Sequence, residues 1–304
     1  MGMLEVGVQV KLKNILFLTD FSQASEAALP FALSVATAYH SGICALHVIT
    51  PVVQGPYSSA SVYATPELAA NATAAAEESA HDEMRRVDSQ MANLAHDTVT
   101  VRDVAVWPAV ERMLQEREFD LIVLGTHGRT GPMKLLMGSV AEEIFRRSSI
   151  PVLTIGPHVR GGSHGGGRFR RLLFATDFTS ASLAALPWAI SLAQENQARL
   201  TLLNVVVPPT RDSRSKVQSA ASLLGDLHEL VPKEAEFWCR PEPLLDYGDP
   251  GECIVRTAIQ QTADLIVLGV RSTQQHIEVK TYTGRATAHE VVAHAECPVL
   301  TVRG

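Results

Sequence analysis

The sequence predicts an α/β protein built from two tandem doubly wound domains, each a five-stranded parallel sheet with helices on both faces. The chain has 304 residues, about twice the length of an ordinary domain. Its two halves repeat each other, since residues 15–36 and 172–193 are identical at 14 of 22 positions without a gap. Short apolar segments alternate with helical ones in both halves, which is typical of a parallel sheet covered on both faces.

Two further blocks recur in the same order. The sequence Asp-Leu-Ile-Val-Leu-Gly occupies residues 120–125 and again residues 264–269. Each half then closes on Pro-Val-Leu-Thr, beginning at Pro151 and at Pro298. Three matching blocks in one order indicate a duplicated domain.

A glycine-rich segment separates the copies. Residues 161–167 read Gly-Gly-Ser-His-Gly-Gly-Gly, the composition of a flexible linker. We therefore expect a first domain over residues 1–160 and a second over residues 168–304, both within the ordinary size range of domains.

Local signals give the order of elements in the first half. Apolar runs rich in valine and isoleucine predict strands, and stretches rich in alanine predict helices. The triplet Thr65-Pro66-Glu67 marks a helix start, with a capping hydroxyl, a proline at the first helical position and an acid in the first turn. The predicted strands cover residues 14–19, 43–49, 99–106, 121–125 and 151–155, and the predicted helices cover residues 22–39, 65–95, 108–117 and 139–147.

Each half carries a proline inside its first predicted helix. Pro30 and Pro187 lie about two turns from the helix start. Because proline has no N–H and its ring crowds the preceding turn, we expect both helices to bend there.

Composition excludes several classes of protein. The net charge is −6 and the pI is about 6.0, which argues against nucleic acid as a partner. The four cysteines form no Cys-x-x-Cys pair and are expected to be buried thiols in a reducing compartment. No apolar stretch approaches the roughly 20 residues of a membrane helix, and the N-terminus lacks the pattern of a signal peptide. We therefore expect a cytoplasmic protein without a membrane partner.

The segment after residues 121–125 is suited to a phosphate chain. Gly125, Gly128 and Gly138 allow close approach of a ligand to the backbone, and Ser139 stands at the start of the next helix as a capping hydroxyl. A helix N-terminus there presents unpaired N–H groups to an anion. The alternative is a tight turn followed by an ordinary N-cap, and the residues alone leave both interpretations open. The usual phosphate signatures, G-x-x-x-x-G-K-[ST] and G-x-G-x-x-G, are absent from this segment.

A second pattern looks like a metal motif. His289 and His294 flank Glu290 in His-Glu-Val-Val-Ala-His. The two histidines are five residues apart, about 500° of helix rotation, so they miss a common face. We expect no zinc site there.

The spacing G-x2-G-x9-G-S from Gly125 to Ser139 is similar to the ATP-binding motif of the universal stress protein family. The block Leu-Thr-Asp20-Phe-Ser22 resembles that family's opening block, and His47-Val48 resembles the end of its second strand. The resemblance covers essentially the whole chain, twice. It implies Rossmann-like domains, similar to those of the adenine nucleotide α-hydrolases.

The resemblance also implies a ligand and its binding residues. The ligand is ATP, with or without Mg²⁺. Asp20 and Val48 would hold the adenine and ribose end. The residues expected at the phosphates are Gly125, Gly128, Gly138 and Ser139, with His127 and Arg129 inside the same loop. Asp20 also has a plainer interpretation as a turn residue.

The second copy departs from this pattern. Ser272 stands in place of Gly128, and counting back from Pro298 puts Arg285 and Ala286 where the first copy has Gly138 and Ser139. Gly284 lies one position before the residue aligned with Gly138, and it is the glycine that could form the turn before the helix. We predict that the second copy has lost triphosphate binding.

These expectations lead to one function and two alternatives. The first is a nucleotide-regulated module of the stress response. The alternatives are a slow ATPase and an interaction protein with a vestigial site. No carboxylate lies close to Gly138, since Glu142 and Glu143 are a turn further along, so binding is favoured over catalysis. The family pairs domains through the last strand, which implies an intrachain pseudo-dimer and a homodimer.

Overall fold

The fold is an α/β repeat, seen in a computed structural model that describes residues 10–50, 66–126, 137–159, 168–207, 219–271 and 283–304. The first half contains β1 (Asn14–Leu18), α1 (Gln23–Tyr39), β2 (Gly42–Ile49), α2 (Pro66–Met91), β3 (His96–Arg102), α3 (Val106–Glu116), β4 (Leu121–Gly125), α4 (Ser139–Arg147) and β5 (Val152–Ile155). The second half contains β6 (Arg171–Ala175), α5 (Ser180–Leu183), α6 (Leu186–Asn196), β7 (Arg199–Val206), α7 (Ala220–Glu229), α8 (Glu236–Cys239), β8 (Pro241–Tyr247), α9 (Pro250–Gln260), β9 (Leu265–Val270), α10 (Thr283–His294) and β10 (Val299–Arg303). The predicted linker, residues 161–167, lies outside the described residues.

The strands form one ten-stranded sheet. Its order is β3-β2-β1-β4-β5-β10-β9-β6-β7-β8, so the second half repeats the first in reverse order across the sheet. Neighbouring strands are parallel except β5 and β10, which pair antiparallel with Val299 opposite Thr154 and Thr301 opposite Val152. The doubly wound, parallel fold is therefore confirmed, and the two predicted five-stranded sheets join through their last strands into one.

Two apolar layers cover the sheet. Along β1, Ile15 and Phe17 point to the layer of α1 and α2, whereas Leu16 and Leu18 point to the layer of α3 and α4. This alternation follows from the two-residue period of a strand. Both layers continue through the second half without a break. In the described part of the chain, no helix is long and apolar enough to cross a membrane.

Side chains also join the halves. The Tyr39 hydroxyl lies 3.0 Å from the Ser191 hydroxyl, and burial raises the pKa of Tyr39. The rings of Phe31 and Phe169 are stacked with centroids 6.4 Å apart. The first helices of the two copies therefore pack against each other beside the central strand pair.

The limits of some elements differ from the predicted ones. The strand β3 begins at His96 and ends at Arg102, whereas residues 99–106 were predicted. Its first two residues are exposed and polar, but their backbones pair with β2, with His96 opposite Ile43. The start of β3 is therefore set by backbone pairing with β2. The polarity of the side chains gives no sign of this pairing. The helix α2 ends at Met91, four residues before the predicted end.

The two prolines have different outcomes. The helix α1 runs unbroken from Gln23 to Tyr39 with an exposed Pro30 inside it. In the second half the corresponding helix divides into α5 and α6, and Pro187 lies in the first turn of α6. A proline in the first turn removes no intrahelical hydrogen bond. The second copy therefore accommodates its proline by a break.

Candidate functional site

The order of strands reverses between β1 and β4. In the first half, β2 and β3 lie on one side of this pair, and β5 lies beyond β4. Since Phe17 is opposite Val123, continuing the register brings Thr19 beside Gly125 where both strands end. Ligands of doubly wound sheets bind in the crevice at this reversal point. The residues that follow β1 and β4 are therefore the candidates for a site.

The turn after β1 is fixed by Asp20. Its Oδ1 accepts a hydrogen bond of 3.0 Å from the Ser22 N–H. Between them, Phe21 has a φ of 59°, an uncommon value for a residue with a side chain. Ser22 is the N-cap of α1 and accepts from the Ser25 N–H at 3.3 Å. Asp20 is thus a turn residue, and its half-buried carboxylate also stands at the crevice.

A histidine from the next strand supports this turn. His47 Nδ1 donates to the Thr19 carbonyl at 2.8 Å, since that oxygen can only accept. The His47 ring also packs on the Phe21 ring, with centroids 4.3 Å apart. In the second half, Asn204 donates to the Thr176 carbonyl at 2.9 Å. Both side chains supply an N–H to the equivalent carbonyl of their own half. This role of His47 was not evident from the sequence, because the two residue types differ.

Gly125 has a packing role. A Cβ atom on Gly125 would lie 2.5 Å from the carbonyl carbon and oxygen of Ala24, in the first turn of α1. Gly269 in the second half is pressed against Ala181 and Ser182 in the same way. The contact between helix and strand therefore requires glycine at both positions, independently of any ligand.

The start of α4 faces the crevice. The Gly138 N–H donates to the Thr126 carbonyl at 2.7 Å, which ties the helix start to the end of β4. Gly138 is the N-cap residue and no side chain caps the helix, so the predicted capping role of Ser139 is wrong. Ser139 is instead the first helical residue and is exposed. Helix geometry leaves the N–H groups of the first turn without intrahelical partners.

Val48 lies at the same edge. The pairing of β1 with β2 ends at Leu18 opposite Leu46, and β2 continues to Ile49. Val48 is therefore beyond the last β1 residue, half-buried against the apolar layer of α3 and α4. Such a position offers an apolar contact at the rim of the crevice.

Other predicted residues are not placed. His127, Gly128 and Arg129 lie outside the described residues. Of the two acids in α4, Glu143 pairs with Arg147 at 3.2 Å and Glu142 is exposed. Across the described residues, no group of three or more histidine, cysteine or acidic side chains could hold a metal ion.

The second half has the same turn after its first strand. The Asp177 Oδ1 accepts from the Thr179 N–H at 3.0 Å and from its hydroxyl at 2.6 Å. Burial acts to raise the pKa of Asp177, but hydrogen bonds from Thr179 and Ser182 together outweigh it and hold that pKa below its usual value. This carboxylate therefore stabilises its own turn, as Asp20 does in the first half.

The second half differs most at its last helix. Thr283, the first residue of α10, is 15 residues before Pro298, whereas Ser139 is 12 residues before Pro151. The helix thus extends by three residues, about 4.5 Å, at its N-terminus. Gly284 is the second residue of this helix. It therefore does not replace Gly138 as the glycine of a turn before the helix, which the sequence had left open. Arg285 follows it in the first turn.

The family model described as the Universal stress protein family matches residues 11–156 and again residues 168–303. The chain belongs to the universal stress protein family. A universal stress protein from Thermus aquaticus is 32% identical over 139 residues, which cover 44% of this chain and 99% of that protein. Universal stress protein MJ0577 from Methanocaldococcus jannaschii is 25% identical over 162 residues, covering 49% of this chain and 97% of the relative.

Some solved structures match both halves of the chain together. The crystal structure of a universal stress protein from Archaeoglobus fulgidus superposes with a TM-score of 0.70 over 97% of this chain and 99% of that one, at 19% identity. At this identity the likeness concerns the fold. It agrees with the tandem arrangement of two universal stress protein domains.

Proposed function

We propose that this universal stress protein binds ATP in its first half, at the crevice between β1 and β4, and that nucleotide occupancy regulates it. The observation that supports this most is the convergence of two unlike groups at one sheet edge. The Asp20 carboxylate follows β1, and the uncapped start of α4 follows β4. A nucleotide needs an acceptor at its sugar or base and N–H donors at its phosphates, and this edge offers both.

The phosphate end of the proposed site is the start of α4. Its N–H groups carry about half a positive charge, and no side chain at the N-cap competes for them. Gly138 presents no side chain to a ligand, and the exposed Ser139 hydroxyl adds a donor. Gly128, His127 and Arg129 complete the proposed phosphate contacts.

The adenosine end is proposed at Asp20 and Val48. The Asp20 carboxylate accepts from the Ser22 N–H, and a carboxylate oxygen can accept more than one hydrogen bond, as contact with a ribose hydroxyl would require. Val48 supplies the apolar contact for the base. When bound, ATP brings the phosphate charge, with or without Mg²⁺, and the chain supplies the positioning groups.

The second half is proposed not to bind triphosphate. Its helix α10 begins three residues earlier than α4, so its first-turn N–H groups are shifted by about 4.5 Å along the helix from the position that they have in α4. The two halves share a fold and are proposed to differ in ligand binding.

The two aspartates give a matched test. Asparagine at position 20 keeps the acceptor oxygen for the Ser22 N–H and removes the charge, and asparagine at position 177 does the same at Thr179. We expect Asp20→Asn to weaken ATP binding about tenfold by calorimetry, the usual effect of losing a charge-assisted hydrogen bond, and Asp177→Asn to leave it unchanged. Equal affinities of both variants and the parent would contradict the assignment.

A second variant tests the phosphate end. Gly138 has a φ of −61° and a ψ of 150°, which a residue with a side chain adopts without strain. A loss of ATP binding in Gly138→Val, with unchanged thermal stability, is therefore expected from a side chain that blocks the ligand. ATP affinity equal to that of the parent would place the phosphates elsewhere.

A further inference from the structure

A cavity lies at the seam between the two halves. It has a volume of about 140 Å³ and lies between α4 of the first half and α10 of the second, beside the ends of β9 and β10. Buried Phe145 and Val270 form its apolar part. Arg146, Arg271 and Arg303 line it together with Glu142 and His289.

The charge of this cavity is opposite to that of the chain. Three arginines and one glutamate give the lining a formal charge of +2 with His289 neutral, in a protein whose net charge is −6. Within the described residues, neither Arg146 nor Arg271 forms an ion pair. Both arginines are exposed. Two guanidinium groups at the rim are thus available to an anion.

The third arginine is held in place by the opposite half. Arg303 donates from Nη2 to the carbonyls of Phe145 at 2.8 Å and Arg146 at 2.7 Å, at the C-terminal end of α4. Its position in the first half corresponds to Gly156, where a Cβ would lie 2.9 Å from the Val292 carbonyl. Only the second half therefore has an arginine at this position. The cavity is lined by residues from both halves.

We propose that this seam cavity binds a small phosphate-bearing anion. Guanidinium groups match the geometry of phosphate oxygens and remain charged at any ordinary pH. The volume is below the range of about 300–1,000 Å³ that is usual for drug-sized ligands, which favours a phosphate or pyrophosphate group over a whole nucleotide. The site uses side-chain cations, unlike the helix start proposed for ATP, and is separate from it.

Pyrophosphate titration tests this proposal on the full chain. The titration is followed by calorimetry and by the imidazole NMR signals of His289, assigned with His289→Gln, in nucleotide-free protein and with ATP at saturation. We expect saturable binding that shifts the His289 signals in both states. Replacing both arginines in Arg146→Gln/Arg271→Gln should weaken it about 10-fold or more, several-fold for each exposed cation removed.

The helix α2 supplies the control. The Arg85→Gln/Arg86→Gln variant removes the same charge from two exposed arginines that pair with Asp82 and Glu83 away from the seam. Equal weakening in both double variants would show binding to net charge and overturn the proposal. Absence of binding at millimolar pyrophosphate would also overturn it, and equally tight citrate binding would overturn the assignment to phosphate. Because the nucleotide-free titration does not depend on ATP, failure of the ATP site leaves this test intact.

Discussion

Gly125 lies so close to Ala24 that a Cβ atom at position 125 would be 2.5 Å from the Ala24 carbonyl carbon. The contact brings the first turn of α1 onto the end of β4, beside the proposed nucleotide site. A glycine that resembles part of a phosphate motif is therefore required by packing. The same contact in the second half, at Gly269, persists where triphosphate binding is proposed to be lost.

Gly125→Ala is expected to destabilise the protein. The added methyl group overlaps backbone atoms of α1, so the helix must shift, at a cost of about 1–3 kcal/mol in the free energy of unfolding. Urea unfolding followed by circular dichroism measures this. The control is Gly225→Ala in α7, where nothing lies within 4 Å of the new Cβ and helix propensity predicts a gain of about 0.5–1 kcal/mol. A neutral Gly125→Ala would contradict the packing role.

His47 is expected to tolerate asparagine better than leucine. His47→Leu leaves the Thr19 carbonyl without its donor, which should cost about 1 kcal/mol or more in stability. His47→Asn can restore the N–H, as Asn204 does for Thr176. Thermal unfolding of both variants compares them. Equal losses would show that the ring contact with Phe21, and not the hydrogen bond, is what matters.

Two buried thiols predict a loss of stability at alkaline pH. Burial, with a contribution from Asp264, raises the pKa of Cys297 to about 12, and burial, with a contribution from Asp97, raises that of Cys44 to about 11. Their usual value of 9.0 applies in the unfolded chain. Because the folded pKa values are higher, the thiols contribute full stability below pH 9 and lose it as the pH rises toward 11 to 12.

The cysteine prediction is measured by urea unfolding between pH 8 and 11. Stability of the parent should fall above pH 9, and that of Cys44→Ala/Cys297→Ala should fall less steeply. The comparison between proteins separates the thiols from Tyr39, whose pKa is also raised and which both proteins contain. Parallel curves would contradict the assignment.

Much of the fold was predictable because the repeat and the apolar runs are local signals. The strands β1, β2, β4 and β5 agree with their predicted positions to within a residue or two. Strand β3 was misplaced because its polar first residues belong to the sheet through backbone pairing alone. The break before α6 was missed because Pro30 and Pro187 occupy equivalent sequence positions with different helical contexts.

The candidate site was predictable only in part. The end of β1 and the start of α4 were located from turn residues and glycines, and the fold brings them to one sheet edge. The roles of Gly125 and His47 depend on contacts with Ala24 and Thr19, which sequence spacing does not contain. The earlier start of α10 was also hidden, because alignment with the first half placed residues 283–285 before the helix. Association of two chains stays a prediction, which light scattering tests.

The central claim is that the first half alone binds ATP. The amount of ATP bound per chain at saturation, measured by equilibrium dialysis of nucleotide-free protein, tests it most directly. One ATP per chain, abolished by Gly138→Val, is the predicted result. The helix α4 begins after an N-cap glycine that provides no side-chain cap, whereas α10 begins three residues earlier in its half. No bound ATP would contradict the nucleotide site, and two per chain would contradict the loss of binding in the second half.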